Sequence, residues 1–279
     1  MIGEIGNMKT ENASFDGIEI HHVKGFIKKD FWSESYHSHE HAEIFIHVLG
    51  RMELFIENKA YSHSGNEIRL YAPWELHFGK SDFDQDMEWY QISLNKAFLE
   101  ANPALSERIV SREKGIGNVF ISKEHKHIVS LLDVILEKKN SDLGKHYLIA
   151  NVTKILCLLN EKDNNIEISQ GKNECIQEVL EIINHDLTNI KTVENITALT
   201  HFSPSYIHRL FRTNLNITPH QYIIMKKLSI AKELLEKGYS IIDACYDSGF
   251  SDYSNFITIF RKHFGITPSR FQSTYLQNK

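Results

Sequence analysis

The feature that most constrains this 279-residue chain is a pattern it writes twice. Phe211…Ile217-Thr218-Pro219…Tyr222 returns 49 residues later as Phe260…Ile266-Thr267-Pro268…Phe271; Arg212 returns as Arg261 and Ile207 as Phe256. Upstream the offset is 48, pairing Phe202 with Phe250 and His201 with Gly249. Helix starts here are explicit. Ser203-Pro204, Thr218-Pro219 and Thr267-Pro268 each set a capping hydroxyl before a proline at the first helical position, and Thr218 to Gln221 reads as a capping box. Gly238 and Gly265 stand where helices should stop. Each copy therefore reads as a short helix, a tight turn and a second helix, at about 192–214 and 240–263, with a connecting helix at about 219–237.

Helical hairpins that only pack are the plain alternative. Two features speak against it: the second helices carry polar and basic residues on one face, and the connecting helix would hold the copies at a fixed distance. Gly249-Phe250-Ser251-Asp252…Phe256…Phe260-Arg261-Lys262…Phe264-Gly265-Ile266-Thr267-Pro268 resembles the signature of the AraC/XylS family of bacterial transcription regulators. The resemblance covers about 174–275. It departs locally: Cys245 and Ala244 stand where the family usually has Ala and Ile, Thr197 replaces that Ala in the first repeat, and His201 replaces the turn Gly. A non-Gly residue at positive φ is costly, so a looser first turn is expected.

The resemblance implies double-stranded DNA as partner, read in two successive major-groove segments about 34 Å apart. It carries base readout onto Ser205, His208 and Arg209 in the first copy and Tyr253, Ser254 and Thr258 in the second. Arg209 can pair bidentately with guanine or hold a phosphate. Arg212, Arg261 and Lys262 read as phosphate clamps, as do the helix starts at Thr218 and Thr267, whose free N–H groups attract anions.

Ahead of the repeat the period changes. Met52 to Glu57 and Glu67 to Tyr71 alternate as strands do, with turn residues at Gly50, Asn58 and Gly65. Close spacing of short strands over about 15–100 suggests a barrel or sandwich. Ile128, Leu131, Leu132, Ile135 and Leu136, then Leu148, Val152, Ile155, Leu156 and Leu159, recur at helical spacing, so about 123–160 reads as a helical hairpin, the expected dimerisation element. Polar residues 161–173 read as a linker. The fold expectation is two domains: a cupin-like all-β barrel with its hairpin (1–160), then an all-α domain of two helix-turn-helix motifs (174–279).

Tyr36-His-Ser-His-Glu-His-Ala-Glu43 fits the first cupin motif through His37, His39, Glu43 and Gly50; Pro73 and His77 resemble the second, one residue short in spacing and with Gly65 too far upstream. His37 and His39, two apart on a strand, share a face. With Glu43 and His77 they make a donor set suited to Zn, Fe, Ni or Mn. A divalent metal, a polar effector such as a sugar, or mere packing remain open for these four, and no cofactor is required. His41 and Glu40 are expected on the other side or in solvent, and His21, His22, His125 and His127 at the surface. Trp32, Tyr36, Phe45, Trp74 and Trp89 are either ring-stacking or core aromatics.

Composition sets outer bounds. Three cysteines (Cys157, Cys175, Cys245), read as buried thiols, fit a reducing cytoplasm. There is no apolar run long enough to span a membrane and no signal-like start. Net charge is −5, unevenly spread: 11 Lys+Arg against 10 Asp+Glu from Glu174 onward, leaving 20 against 26 before it. The expectation is a cytoplasmic, dimeric, DNA-binding regulator with RNA polymerase and a small-molecule effector as partners. A cupin metalloenzyme with an accessory helical domain, or a module acting on polymerase without DNA, would have no need of paired recognition helices.

Overall fold

The computed structural model describes residues 8–29, 31–32, 36–57, 59–81, 83–161, 165–167 and 174–277. The chain divides into two compact units, Met1–Lys172 and Asn173–Lys279.

The first unit holds strands β1 (Lys9–Phe15), β2 (Ile18–Ile27), β3 (Phe31–Trp32), β4 (Ala42–Leu49), β5 (Arg51–Ile56), β6 (Lys59–Ser64), β7 (Glu67–Tyr71), β8 (His77–Ser81), β9 (Gln85–Leu94), β10 (Val119–Ser122) and β11 (Asn165–Glu167), with helices α1 (Lys96–Ala101), α2 (Pro103–Val110), α3 (His125–Lys138) and α4 (Gly144–Asn160). Seven strands form one sheet, ordered β1-β2-β9-β4-β7-β10-β11, and four form another, β3-β8-β5-β6.

Period-two alternation assigns the two faces of the larger sheet. Ile44, Ile68 and Ile92 face a core shared with Ile128 and Leu132 of α3 and Val152 and Ile155 of α4. Their odd-numbered neighbours Glu43, Phe45, Arg69, Tyr71 and Gln91 line a cavity on the opposite face, to which β5 and β8 of the second sheet also contribute. The sheet is thus covered on both sides, and every residue of β7 is buried. The hairpin of α3 and α4 covers one face of the barrel and leaves Leu143, Tyr147 and Ile149 exposed on the other side.

Several expectations need correction. Helices α1 and α2 follow the last barrel strand, α1 starting where the Asn95 side chain accepts from Phe98 N at 2.9 Å. Strand β10 adds to β7 beyond the expected end of the barrel, and β11 pairs with β10 inside the stretch read as linker; 162–164 and 168–173 of that stretch lie outside the described residues. His125 is buried rather than at the surface: its Nε2 donates to the His47 carbonyl at 2.8 Å and ties the start of α3 to β4. His22 is half-buried, stacked on Tyr90 at 4.2 Å. Of the cysteines only Cys245 is buried; Cys175 is intermediate and Cys157 exposed.

The second unit holds α5 (Glu174–His185), α6 (Val193–Leu199), α7 (Pro204–Leu215), α8 (Pro219–Glu236), α9 (Ile241–Asp247), α10 (Tyr253–Phe264) and α11 (Pro268–Gln277). The written repeat is a geometric one. Phe211 meets Tyr222 edge-on at 5.6 Å and 67°, and Phe260 meets Phe271 at 5.9 Å and 64°. Ser203 and Thr218 cap α7 and α8 as their spacing predicts. Both copies close their second helix with a left-handed residue, Asn216 at φ 53° in one and Gly265 at φ 74° in the other.

The turns between the helices of each pair differ. In the second copy Gly249 sits at φ 88°, and Phe250 N returns to Cys245 O at 3.1 Å, the wide bond of a Schellman ending. In the first copy α6 ends on Thr200 in an extended conformation and His201 has no positive φ, so the expected strain is bypassed rather than tolerated. A Cβ on Gly249 would lie 3.0 Å from Thr188 Cα and 3.2 Å from Lys227 Cε, whereas one on Gly238, at a similar φ of 87°, meets nothing within 4 Å. Gly238→Ala should therefore cost only backbone strain, about 1–2 kcal/mol. Gly249→Ala adds the collision and should cost measurably more, as read by urea midpoints of the two variants.

Candidate functional site

The first candidate site is the barrel cavity, about 610 Å³ in volume. Glu43 anchors it. In register Glu43 pairs with Tyr71 of β7 and Ser93 of β9, which fixes its side chain on the cavity face. It is 5% exposed, and a buried carboxylate must be paired. Its Oε1 accepts from Gln91 Nε2 at 2.6 Å and from His41 Nε2 at 3.1 Å. Its Oε2 lies 3.1 Å from His39 Nε2 and 3.6 Å from His77 Nε2. Burial alone would raise this carboxyl's pKa, but the imidazoles of His39, His41 and His77 set against it outweigh burial and hold the group far below the usual carboxylate range.

The histidines arrive from separate elements. His37 and His77 exchange both main-chain hydrogen bonds, at 3.0 and 2.9 Å, which sets their rings 4.5 Å apart. His77 also stacks on Tyr71 at 4.1 Å. His39 Nδ1 donates to the His41 carbonyl at 2.9 Å, and His77 Nδ1 donates to the Glu75 carbonyl at 2.8 Å. Because a carbonyl only accepts, Nδ1 carries a proton in both rings, so Nε2 faces Glu43 as a donor when the ring is charged and keeps its lone pair when it is neutral. Those two Nε2 atoms converge on Glu43. The approach of His39 Nε2 to Glu43 is close but off a hydrogen-bonding line, so this buried nitrogen has no hydrogen-bond partner among the described residues.

The four residues singled out by sequence, His37, His39, Glu43 and His77, thus come together, and His41 joins them. His41 was expected to face away; instead its ring stacks on His39 at 3.9 Å and its Nε2 reaches Glu43. Residues 38–41 form no strand, so alternation gave no signal for its side. Donor atoms of His37, His39 and His77, and separately of His39, His41 and Glu43, lie within 4.8 Å of one another. Imidazoles oriented through Nδ1 by backbone carbonyls, beside one carboxylate, are a donor set that fits a borderline divalent cation. Of the aromatics, Phe45 and Trp89 line the cavity, Tyr36 is buried with its hydroxyl donating to the Glu57 carbonyl, and the Trp32 side chain lies outside the described residues.

A second polar group shares the cavity wall. Arg69, 3% exposed, donates from Nη2 to Glu67 Oε1 at 2.5 Å and to His47 Nδ1 at 2.7 Å. His47 Nε2 donates in turn to Gly50 O at 3.2 Å, so the ring is neutral. Burial, then the Arg69 charge, push its pKa down to about 4.

The second candidate site lies on the paired helices. Ser205, His208, Arg209 and Arg212 of α7 are exposed, as are Tyr253, Ser254, Thr258, Arg261 and Lys262 of α10. Arg209 is held over the Tyr206 ring, 5.0 Å from its centroid. Thr258, its counterpart by the 49-residue offset, spends its hydroxyl on Ser254 O at 3.0 Å. Asn255, exposed in the first turn of α10, was passed over in the sequence; its amide is the type that pairs with adenine. The N-terminal N–H groups at Thr218 and Thr267 are partly used internally: the Thr218 hydroxyl accepts from Gln221 N at 3.2 Å and that of Thr267 from Arg270 N at 3.3 Å.

His47 generates a pH prediction. Unfolded, the imidazole takes its proton near its ordinary value of about 6.5; folded, only near 4. The unfolded state binds more protons between these values, so stability falls as pH drops from about 6.5 to about 4, by up to about 3 kcal/mol, with no further loss from this residue below. Urea midpoints of wild type and His47→Gln at pH 7 and pH 5 check this: the variant should show the shallower decline, and equal declines would refute the assignment.

Comparison with known proteins identifies the two units. An AraC-like ligand binding domain model matches residues 26–135, and a helix-turn-helix domain model matches 196–274. The chain is 27% identical over 246 residues to the "Probable transcriptional regulator LumQ" of Photobacterium leiognathi, covering 86% of this chain and 92% of that one. It is 22% identical over 245 residues to the HTH-type transcriptional regulator YbfI of Bacillus subtilis (strain 168), covering 85% of each. A crystal structure of apo ToxT from Vibrio cholerae covers 93% of this chain and 98% of its own at 14% identity and a TM-score of 0.40, too low to bear on the assignment. The two domain models fall one on each unit, and both relatives span the two units together. The chain belongs to the AraC family of transcriptional regulators, with an AraC-like ligand binding domain ahead of a helix-turn-helix DNA-binding domain.

Proposed function

We propose that this regulator reads a promoter through α7 and α10, and that an effector in the histidine-lined cavity controls that reading. The observation that carries the proposal is the repeated helix pair with an exposed polar face on each second helix. Base readout falls to Ser205, His208 and Arg209 on α7 and to Tyr253, Ser254 and Thr258 on α10; Arg212, Arg261, Lys262 and the helix starts at Thr218 and Thr267 hold phosphates. The two readers are unequal. Arg209 is preorganised over Tyr206, whereas Thr258 at the matching position has its hydroxyl bonded to its own helix. Specificity is therefore concentrated in the first reader and affinity spread over both.

In the barrel, Glu43 with His37, His39 and His77 forms the polar anchor of the cavity, and His41 belongs with them. The effector is a small molecule with a polar group at this end. A second reading, that a divalent metal occupies the cluster, is favoured by one observation: the buried His39 Nε2 without a hydrogen-bond partner among the described residues. In that reading His37, His39, His77 and Glu43 hold the ion, which supplies a Lewis-acid contact for the effector. The regulator is proposed to act in the bacterial cytoplasm as a homodimer joined through the α3–α4 hairpin, with RNA polymerase as downstream partner. Tethering the DNA-binding units raises their effective concentration on adjacent sites, so small effector-driven changes alter occupancy strongly.

Two measurements check the proposal. On DNA selected from random sequence, Arg209→Ala should relax preference at one base position, losing about 1–3 kcal/mol of discrimination there. Arg261→Ala should weaken specific and scrambled DNA alike and reduce the salt slope by about 1. Equal losses on both DNAs for Arg209→Ala would remove the base-reading role. Separately, mass spectrometry of natively purified protein should find a metal near one per chain or a retained small molecule, either of which is lost in His39→Ala/His77→Ala.

A further inference from the structure

The cavity has a second unsatisfied polar group that the histidine cluster does not explain. Arg69 is fully buried, yet among the described residues its Nε has no hydrogen-bond partner and its Nη1 reaches only the Met52 sulfur, at 3.7 Å. Only Nη2 is well bonded, to Glu67 and His47. A buried guanidinium with idle donors costs stability, and it lines an otherwise mainly apolar chamber that includes Phe45, Leu54, Phe78 and Trp89. Charge-assisted bonds to an anionic oxygen are the strongest way to satisfy such donors.

Register fixes the separation of the two polar ends. Glu43 pairs with Tyr71 and Phe45 pairs with Arg69, so Arg69 lies two residues along the strands from the histidine cluster. Two strand residues span about 7 Å. Phe45, level with Arg69 in the register, lines the cavity beside it. At the far end the Glu43 carboxylate only accepts hydrogen bonds, so it matches a donor.

We infer that the effector is a flat, apolar-bodied carboxylic acid whose carboxylate docks on Arg69 and whose hydroxyl, about 7 Å away, docks on the Glu43–histidine cluster. A hydroxyaryl acid has this form. The inference rests on the cavity being the effector site and adds the anion-binding role of Arg69, which sequence alone concealed as one polar residue of an alternating strand. Arg69 also contacts His47, whose carbonyl holds His125 at the start of α3, so an anion on Arg69 touches the same element that begins the hairpin.

The test is calorimetric titration of the full chain with 4-hydroxyphenylacetate, its primary amide and hydroxyl-free phenylacetate, with and without EDTA. The acid should bind at least tenfold more tightly than the amide and than phenylacetate, and the preference over the amide should survive EDTA. Arg69→Gln should bring acid and amide within about threefold, and Arg69→Lys should keep most of the preference; circular dichroism checks that both variants fold. Equal binding of acid and amide would overturn the role of Arg69 while leaving the cavity as the effector site. Loss of the preference in EDTA would transfer the carboxylate to a metal and overturn it too. Binding of none of the three at millimolar concentration overturns the ligand class, and the cavity's role is then decided by what co-purifies with the protein.

Discussion

A carboxylate buried on β4 organises the sensory half of this protein. Glu43 can stay ionised inside a barrel only if its neighbours offset its charge: Gln91 from β9 and His41 from the segment before β4 donate to it, and the imidazoles of His39 and His77 lie 3.1 and 3.6 Å away. The main-chain exchange between His37 and His77 then closes the first cupin-like stretch onto β8. The cavity is therefore a consequence of satisfying one charge. The same reasoning supports the proposal that it holds an effector, because the satisfaction is incomplete at His39 and, farther along the wall, at Arg69. Buried polar groups left short of protein partners are where a ligand's own polar groups find bonds to make.

The DNA-binding half depends on a different constraint, the packing of paired aromatics around α8 and α11. Phe211 on Tyr222 and Phe260 on Phe271 repeat one contact nearly angle for angle. The turns do not repeat. One uses Gly249 in the left-handed region, wedged against Thr188 and Lys227; the other replaces that glycine with His201 and takes a different path. Copies that share a core but differ at the turn and at the Arg209/Thr258 position can share an architecture while reading DNA unequally.

Much of this was legible beforehand, and the gaps have physical causes. The repeat, its caps and its stop signals depend on local chemistry, so spacing alone located α7, α8 and α10. The convergence of His37, His39, Glu43 and His77 followed a motif. His41 was misassigned because residues 38–41 form no strand, so alternation does not fix its side and only its stacking on His39 and its bond to Glu43 do. Arg69 was hidden for a deeper reason. Alternation along a strand separates two faces but does not say which is wet, and in β7 neither is, because α3 and α4 cover one and the second sheet the other. Strands β10 and β11 were hidden because three or four residues carry too little pattern to distinguish from a loop, and only the pairing of β10 with β7 and of β11 with β10 defines them.

The central claim is that one chain carries two DNA readers set on a single scaffold. Methylation interference and hydroxyl-radical footprinting, with the full chain bound at one chain per site on a selected operator, test it most directly. The account predicts two contacted major-groove segments on one face of the duplex, about one helical turn apart. A single contacted segment, or protection indifferent to sequence, would contradict it.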